Sequence, residues 1–197
     1  MPGAAHFITK VFAFALMLTV AGCGRPARSD TTSIAGVMPR LAFAMIRAND
    51  DAAVTAANYR GKAVLLYFGY THCPDECPTT LANLASALKL LGPNAERVRV
   101  LFVTVDPSRD TIPALKSYVK VFAPQIDGLR GSANAVEELA RRYRVIYEVT
   151  PVSPAHSYSV MHSDSVFMFD GSGRAQFVTL QTNDTAALAR RIAQLGS

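Results

Sequence analysis

Charge is scarce in this chain: 18% of its 197 residues are charged and 50% are hydrophobic. A chain so apolar can bury a real core, which excludes disorder. A dense run of lysine or arginine is missing as well. The net charge of +5 is scattered over residues such as Arg47, Arg60, Lys62, Arg97, Arg99, Arg141, Arg142 and Arg144. These form no stripe interleaved with aromatic residues, so they read as a solvated, mildly basic surface, and no nucleic acid is expected as a partner. Internal repeats and low-complexity stretches are lacking too, and the length suits one domain plus a targeting segment. No apolar run is long enough to cross a bilayer. The stretch after Lys10, residues 11–22, would span about 18 Å as a helix, against a hydrocarbon core of about 30 Å.

That stretch therefore reads as the apolar region of a signal peptide, residues 1–22, and not as a membrane span. Val20, Ala21, Gly22 and Cys23 follow in order and resemble the lipobox of bacterial lipoproteins, in which the cysteine is acylated and becomes the new N-terminus. Each buried CH2 of an acyl chain contributes about 0.8 kcal/mol, so two or more chains anchor stably. Lipidation at Cys23 would tether the mature protein to a membrane, facing the periplasm or extracytoplasmic space. Residues 23–38, rich in Gly, Pro, Ser and Thr, read as a flexible tether. The folded domain is expected over residues 39–197.

With Cys23 lipidated, Cys73 and Cys77 remain. A pair in an oxidising compartment can be a structural staple, a redox couple or a metal site. A staple closing three intervening residues removes little chain entropy, so it is the least attractive of the three.

Around the pair, the hydrophobic pattern predicts an α/β order. Residues 41–48 and 53–55, with Asn49-Asp50-Asp51 between them, read as an N-terminal hairpin extension. Residues 63–68 form a continuous apolar run suited to a central buried strand. Leu81, Leu84, Leu88 and Leu91 recur at helical spacing until Gly92-Pro93 stops them. A second buried strand is expected over 98–105 and helices over 110–122 and 132–144, the first with Pro113 in its opening turn and the second capped by Ser132. A short strand over 145–149, a hairpin of 165–170 with 174–180, and a helix over 184–195 complete the chain. This order combines parallel and antiparallel pairing in a mixed sheet flanked by helices, the thioredoxin-like arrangement.

The segment from Thr71 to Pro78 falls where the first buried strand ends and a helix begins, the end of such sheets where ligands gather. A thiol at the helix N-terminus gains about 0.3–1 kcal/mol from the macrodipole, which lowers a pKa by about one unit. Free cysteine titrates near about 8.5, and Asp75 and Glu76 oppose ionisation. The dipole alone does not ionise both thiols, whereas a bound cation would. If the segment is helical, the spacing sets both sulfurs on one face, where they can chelate a soft ion or oxidise to a redox-active disulfide.

The string Tyr67-Phe68-Gly69-Tyr70-Thr71-His72-Cys73-Pro74-Asp75-Glu76-Cys77-Pro78 resembles the signature of the Sco/SenC copper-chaperone family. So do Gly61-Lys62 before it, Val105-Asp106-Pro107-Ser108-Arg109-Asp110-Thr111, and Tyr158-Ser159-Val160-Met161-His162-Ser163. The resemblance implies a thioredoxin-like fold and a copper site made by Cys73, Cys77 and His162. Two thiolates and an imidazole suit Cu(I) and tolerate Cu(II), while zinc could accept the same ligands. It implies a binding protein, not an enzyme, that assists assembly of the copper A centre in cytochrome c oxidase subunit II. Its further partners would be a thiol reductant or another copper chaperone. The competing reading is an extracytoplasmic thiol–disulfide oxidoreductase using Cys73 and Cys77.

Thioredoxin-like oxidoreductases carry a cis-proline facing the Cys pair. Here the nearest preceding proline is Pro154, and Met161-His162-Ser163 holds that place, which favours a ligand. His72 is expected to point away or lie behind the ligands, His156 to be solvated and Met161 to be packed. The family often has an acidic residue where Met161 stands. Asp106 is a candidate to support the site across the loops.

Overall fold

The computed structural model describes residues 31–151 and 158–196. Along the chain these form β1 (Thr31–Ser33), β2 (Ala44–Arg47), β3 (Ala52–Thr55), β4 (Ala63–Gly69), α1 (Glu76–Leu91) and β5 (Val98–Thr104). Then come α2 (Ile112–Lys120), β6 (Ile126–Arg130), α3 (Ala133–Arg142), β7 (Tyr147–Pro151), β8 (Tyr158–His162), β9 (Val166–Phe169), β10 (Ala175–Thr179) and α4 (Thr185–Ala193).

The apolar run of β4 lies at the centre, and all seven of its residues are buried. It pairs in parallel with β5 and antiparallel with β9. A strand covered on both faces has no use for alternation, which is why this segment is continuously apolar. Fully burying a side chain such as Leu65, Leu66 or Phe68 stabilises the fold by about 1.5–3 kcal/mol. Among the described residues one sheet runs in the order β1-β10-β9-β4-β5-β6-β2-β3, and β7 pairs with β8 as a separate ribbon.

The helices follow their local signals. α1 buries Leu81, Leu84 and Leu88 and packs against α4; it ends at Gly92, whose φ is 56°. The Thr111 hydroxyl accepts the Ala114 N–H, Ser132 caps α3 through Ala135, and Asp184 caps α4 through Ala187. Such caps contribute about 1 kcal/mol each. α2 lies against β6, where Leu115 packs so closely over Gly128 that a Cβ there would come 2.7 Å from its Cγ.

Several expectations need correction. The expected tether is shorter than 23–38: Thr31, Thr32 and Ser33 pair antiparallel with Thr179, Val178 and Phe177, and Ile34 is buried. Short polar residues can form an edge strand through backbone hydrogen bonds alone, so no apolar pattern announces it. The expected N-terminal hairpin does form: β2 pairs with β3, and through β2–β6 pairing it extends the main sheet. β6 itself escapes the pattern, since its sequence holds an aspartate and a glycine. Asp127 is buried because it accepts the Tyr59 hydroxyl at 2.9 Å. The strand expected over 145–149 lies two residues later as β7, and β8 arises where a loop was expected.

Candidate metal centre

β4 delivers the chain at the C-terminal end of the parallel strands, and the next residues turn back across it into α1. Cys73 precedes the helix, so the two thiols do not share a helical face as the spacing suggested. Cys73 acts on the helix end instead, its Sγ accepting the Cys77 N–H at 3.4 Å. Asp75, the formal N-cap, contributes no side-chain hydrogen bond. Cys77 is fully buried and Cys73 partly so, and both thiols are free.

His162, the last residue of β8, brings the third donor. Its Nε2 lies 3.2 Å from Cys77 Sγ and its Nδ1 lies 3.3 Å from the Ser163 carbonyl. A carbonyl can only accept, so this contact favours the tautomer with the proton on Nδ1, which leaves Nε2 as the nitrogen for a metal ion. Tyr67 and Tyr70 hold the imidazole edge-on, with centroids 6.1 and 5.9 Å away. The ligand atoms of Cys73, Cys77 and His162 all lie within 4.8 Å of one another. Two soft sulfurs and one imidazole at that separation form a chelating set for a soft metal ion.

Electrostatics refine the reading of the thiols. Burial pushes the Cys77 thiol well above the ordinary range, and neighbouring Cys73 adds to the rise. Desolvation thus outweighs the helix dipole, and an arriving cation must displace the Cys77 proton.

The loop is braced from below by a carboxylate that sequence reading passed over. Asp110 is fully buried and accepts the Thr71 N–H at 2.9 Å, the Thr71 hydroxyl at 2.6 Å and the Thr104 hydroxyl at 2.6 Å. A second brace holds β8. Asp106, buried, accepts the Tyr158 hydroxyl at 2.7 Å and pairs with Arg109. Arg109 donates to the Tyr158 carbonyl at 3.1 Å and stacks 3.7 Å from that ring. Asp106 therefore supports the site across the loops as expected, with Arg109 and Tyr158 as unforeseen members. The one available signal was the run 105–111, which holds Asp106, Arg109 and Asp110 within five residues.

His72 stays outside the cluster; it is exposed and its Nδ1 lies 3.1 Å from the Thr71 hydroxyl. Met161 was expected to be packed, yet it is 65% exposed because β8 alternates and turns His162 inward. Pro154, His156 and Cys23 lie outside the described residues. No helix among the described residues is long and apolar enough to cross a membrane.

The SCO1/SenC family model matches residues 40–197. The mitochondrial SCO2 homolog of Bos taurus is 43% identical over 119 residues, covering 59% of this chain and 45% of that protein. The chain thus spans about half the length of the curated relatives it matches. The crystal structure of Arabidopsis thaliana ScoI with copper bound is 36% identical, with a TM-score of 0.70, covering 79% of this chain and 98% of that one. Yeast Sco1 with copper bound is 30% identical, with a TM-score of 0.72, covering 80% and 87%.

Proposed function

This chain belongs to the SCO1/SenC family, and from that premise we propose that it is a copper chaperone for the assembly of cytochrome c oxidase. Copper is its cargo, held by Cys73, Cys77 and His162. The observation that carries this reading is the convergence of those three donor atoms within 4.8 Å. Two relatives of the same fold have copper bound in their crystal structures, and the donor set here has the chemistry for it. Two thiolates and an imidazole suit Cu(I) and also accept Cu(II).

Each residue has a definable part. Cys77 gives up its proton as the ion binds, which couples loading to pH. His162 presents its Nε2 toward Cys77 at 3.2 Å. The Ser163 carbonyl favours the tautomer with the proton on Nδ1, in the manner of other metal-binding histidines. Asp110 holds the Thr71–Cys73 turn, and the Asp106–Arg109–Tyr158 brace holds β8. The recipient in this reading is the copper A centre of cytochrome c oxidase subunit II. A thiol reductant or another copper chaperone keeps the pair reduced and loads it. Residues 1–22 are removed as a signal peptide and acylated Cys23 anchors the domain outside the cytoplasm, with 24–30 as the connecting segment.

A second reading has one observation in its favour. Cys73 is partly exposed while Cys77 is fully buried, the arrangement of an attacking and a resolving thiol. Cys73 would attack a partner disulfide, and a mixed disulfide would form as one partner thiolate leaves. Cys77 would then attack the Cys73 sulfur, leaving a Cys73–Cys77 disulfide and a reduced partner. His162 has no part in that sequence, which is why the copper reading accounts for more of the site.

Anaerobic titration of the reduced protein with Cu(I) tests the two together. The copper reading predicts one tightly bound equivalent, weakened in Cys73→Ser, Cys77→Ser and His162→Ala. Unchanged binding in His162→Ala and Cys73→Ser would overturn it. Copper-free reduction of a protein disulfide, unaffected by His162→Ala, would support the second reading.

A further inference from the structure

The sheet registers carry a consequence for how the domain meets its membrane. Thr31 pairs with Thr179, Thr179 with Val166, and Val166 with Tyr67. One row of the sheet therefore runs from the first described residue to the tyrosine whose ring lies 6.1 Å from that of His162. Three strand spacings separate Thr31 from Tyr67 laterally, about 14 Å. Along the strand axis the two residues are level. The N-terminal leader thus joins the domain at the end that bears Cys73, Cys77 and His162. Arg191 holds that point in place, donating to the Thr31 hydroxyl at 3.0 Å while stacking 4.4 Å from the Phe177 ring.

The opposite end of the sheet lies at the start of β4 and at the turn that joins β9 to β10. The Gly61 N–H donates to the Gly171 carbonyl there at 2.8 Å. Along β4, Ala63–Gly69, the two ends are about 20 Å apart. Cys23 and Thr31 are separated by eight peptide steps, which span at most about 29 Å. Thr31 is level with Tyr67, four residues above Ala63, so turning the far end to the bilayer would consume about 13 Å of that reach, whereas the metal end needs none of it.

We propose that the anchor suspends the domain with its metal end toward the bilayer, Thr31 lying within about 29 Å of the surface. The inference rests on the reading of Cys23 as the membrane anchor and does not depend on which ion is carried. The exposed cations of the far end, Arg60, Arg97 and Arg174, would draw that end to an anionic surface only by stretching the leader. Zwitterionic vesicles therefore isolate the effect of the attachment point.

The full chain, acylated in a bacterial host, is reconstituted in phosphatidylcholine vesicles containing an energy acceptor on the lipid headgroup. A donor dye is attached at Met161→Cys beside the site or at Arg60→Cys at the far end. Both are made in a Cys73→Ser/Cys77→Ser background so that one thiol reacts, with circular dichroism confirming the fold. The expected result is stronger transfer from position 161, corresponding to a distance to the headgroup plane about 20 Å shorter than from position 60. Equal transfer from both positions, or stronger transfer from position 60, would overturn the inference and leave the anchor intact. Failure of the chain to associate with vesicles, or association that survives Cys23→Ser, would overturn the anchor reading and the inference with it.

Discussion

A methyl group added at Gly69 would lie 2.5 Å from Cε2 of Phe102 and 2.7 Å from Sγ of Cys77. Attractive carbon contacts sit near 3.5–4.0 Å, so about 1 Å of movement is required on both sides. Phe102 is fully buried in β5 and has little room to yield, which directs much of the movement onto the Cys77 sulfur. Overpacking of this kind costs about 1–3 kcal/mol. For a domain of this size each kcal/mol lowers the melting temperature by about 2–4 °C, so Gly69→Ala should melt about 2–12 °C lower. The copper-free protein can relieve part of the strain by tilting the thiol, whereas a coordinated sulfur cannot. Cu(I) affinity should therefore fall at least about tenfold, equivalent to about 1.4 kcal/mol. Gly128→Ala supplies the control, because a methyl group there would meet Leu115 at 2.7 Å and no donor of the centre. It should lower stability by a similar amount and leave affinity within about twofold. Thermal unfolding by circular dichroism and competition against a chromophoric Cu(I) chelator read both quantities. Equal copper affinity in the two variants would refute the reasoning that Gly69 exists to make room for the Cys77 sulfur.

Other perturbations test the braces and the buried thiol. Asp110→Asn leaves an amide that cannot accept three hydrogen bonds as the carboxylate does; it should cost about 1–3 kcal/mol and speed exchange of the Thr71 amide, and unaltered exchange would contradict its role in holding the loop. Tyr158→Phe removes the hydroxyl that Asp106 accepts at 2.7 Å, so amide exchange should rise along Tyr158–His162 while α1 is unaffected. A rise spread evenly through the domain would count against a local brace. Burial raises the native pKa of Cys77, while an unfolded thiol ionises near about 8.5. Its contribution to stability is thus intact below about pH 8.5 and lost above it, by up to about 1.4 kcal/mol per pH unit. Denaturant unfolding of the copper-free protein between pH 7 and 10 should show that decline, and Cys77→Ser should flatten it. An equal decline in the variant would point to other groups.

Much of this architecture was legible because its determinants are local. The continuous apolar run of β4, the leucine spacing of α1, the cap Ser132 and the turn 170–173 each encode their element within a few residues. β6 was not legible, since Asp127 and Gly128 belong in a buried strand only through Tyr59 and Leu115, partners distant in sequence. β1 is held by backbone pairing and by Arg191, which leaves no periodicity to read. At the site the donors were legible through the resemblance, but the upward shift of the Cys77 thiol was not. Its burial depends on the packing of Tyr67, Phe102 and β8 around it, and that reverses the effect of the helix end. The braces were equally hidden, because Arg109 and Tyr158 lie 49 residues apart.

The central claim is that Cys73, Cys77 and His162 bind one copper ion together. X-ray absorption spectroscopy of the Cu(I)-loaded full chain reads the ligand atoms directly. The account predicts a shell of two sulfurs and one imidazole nitrogen, with the nitrogen lost in His162→Ala and one sulfur lost in Cys73→Ser. A sulfur-only shell that His162→Ala leaves unchanged would contradict it.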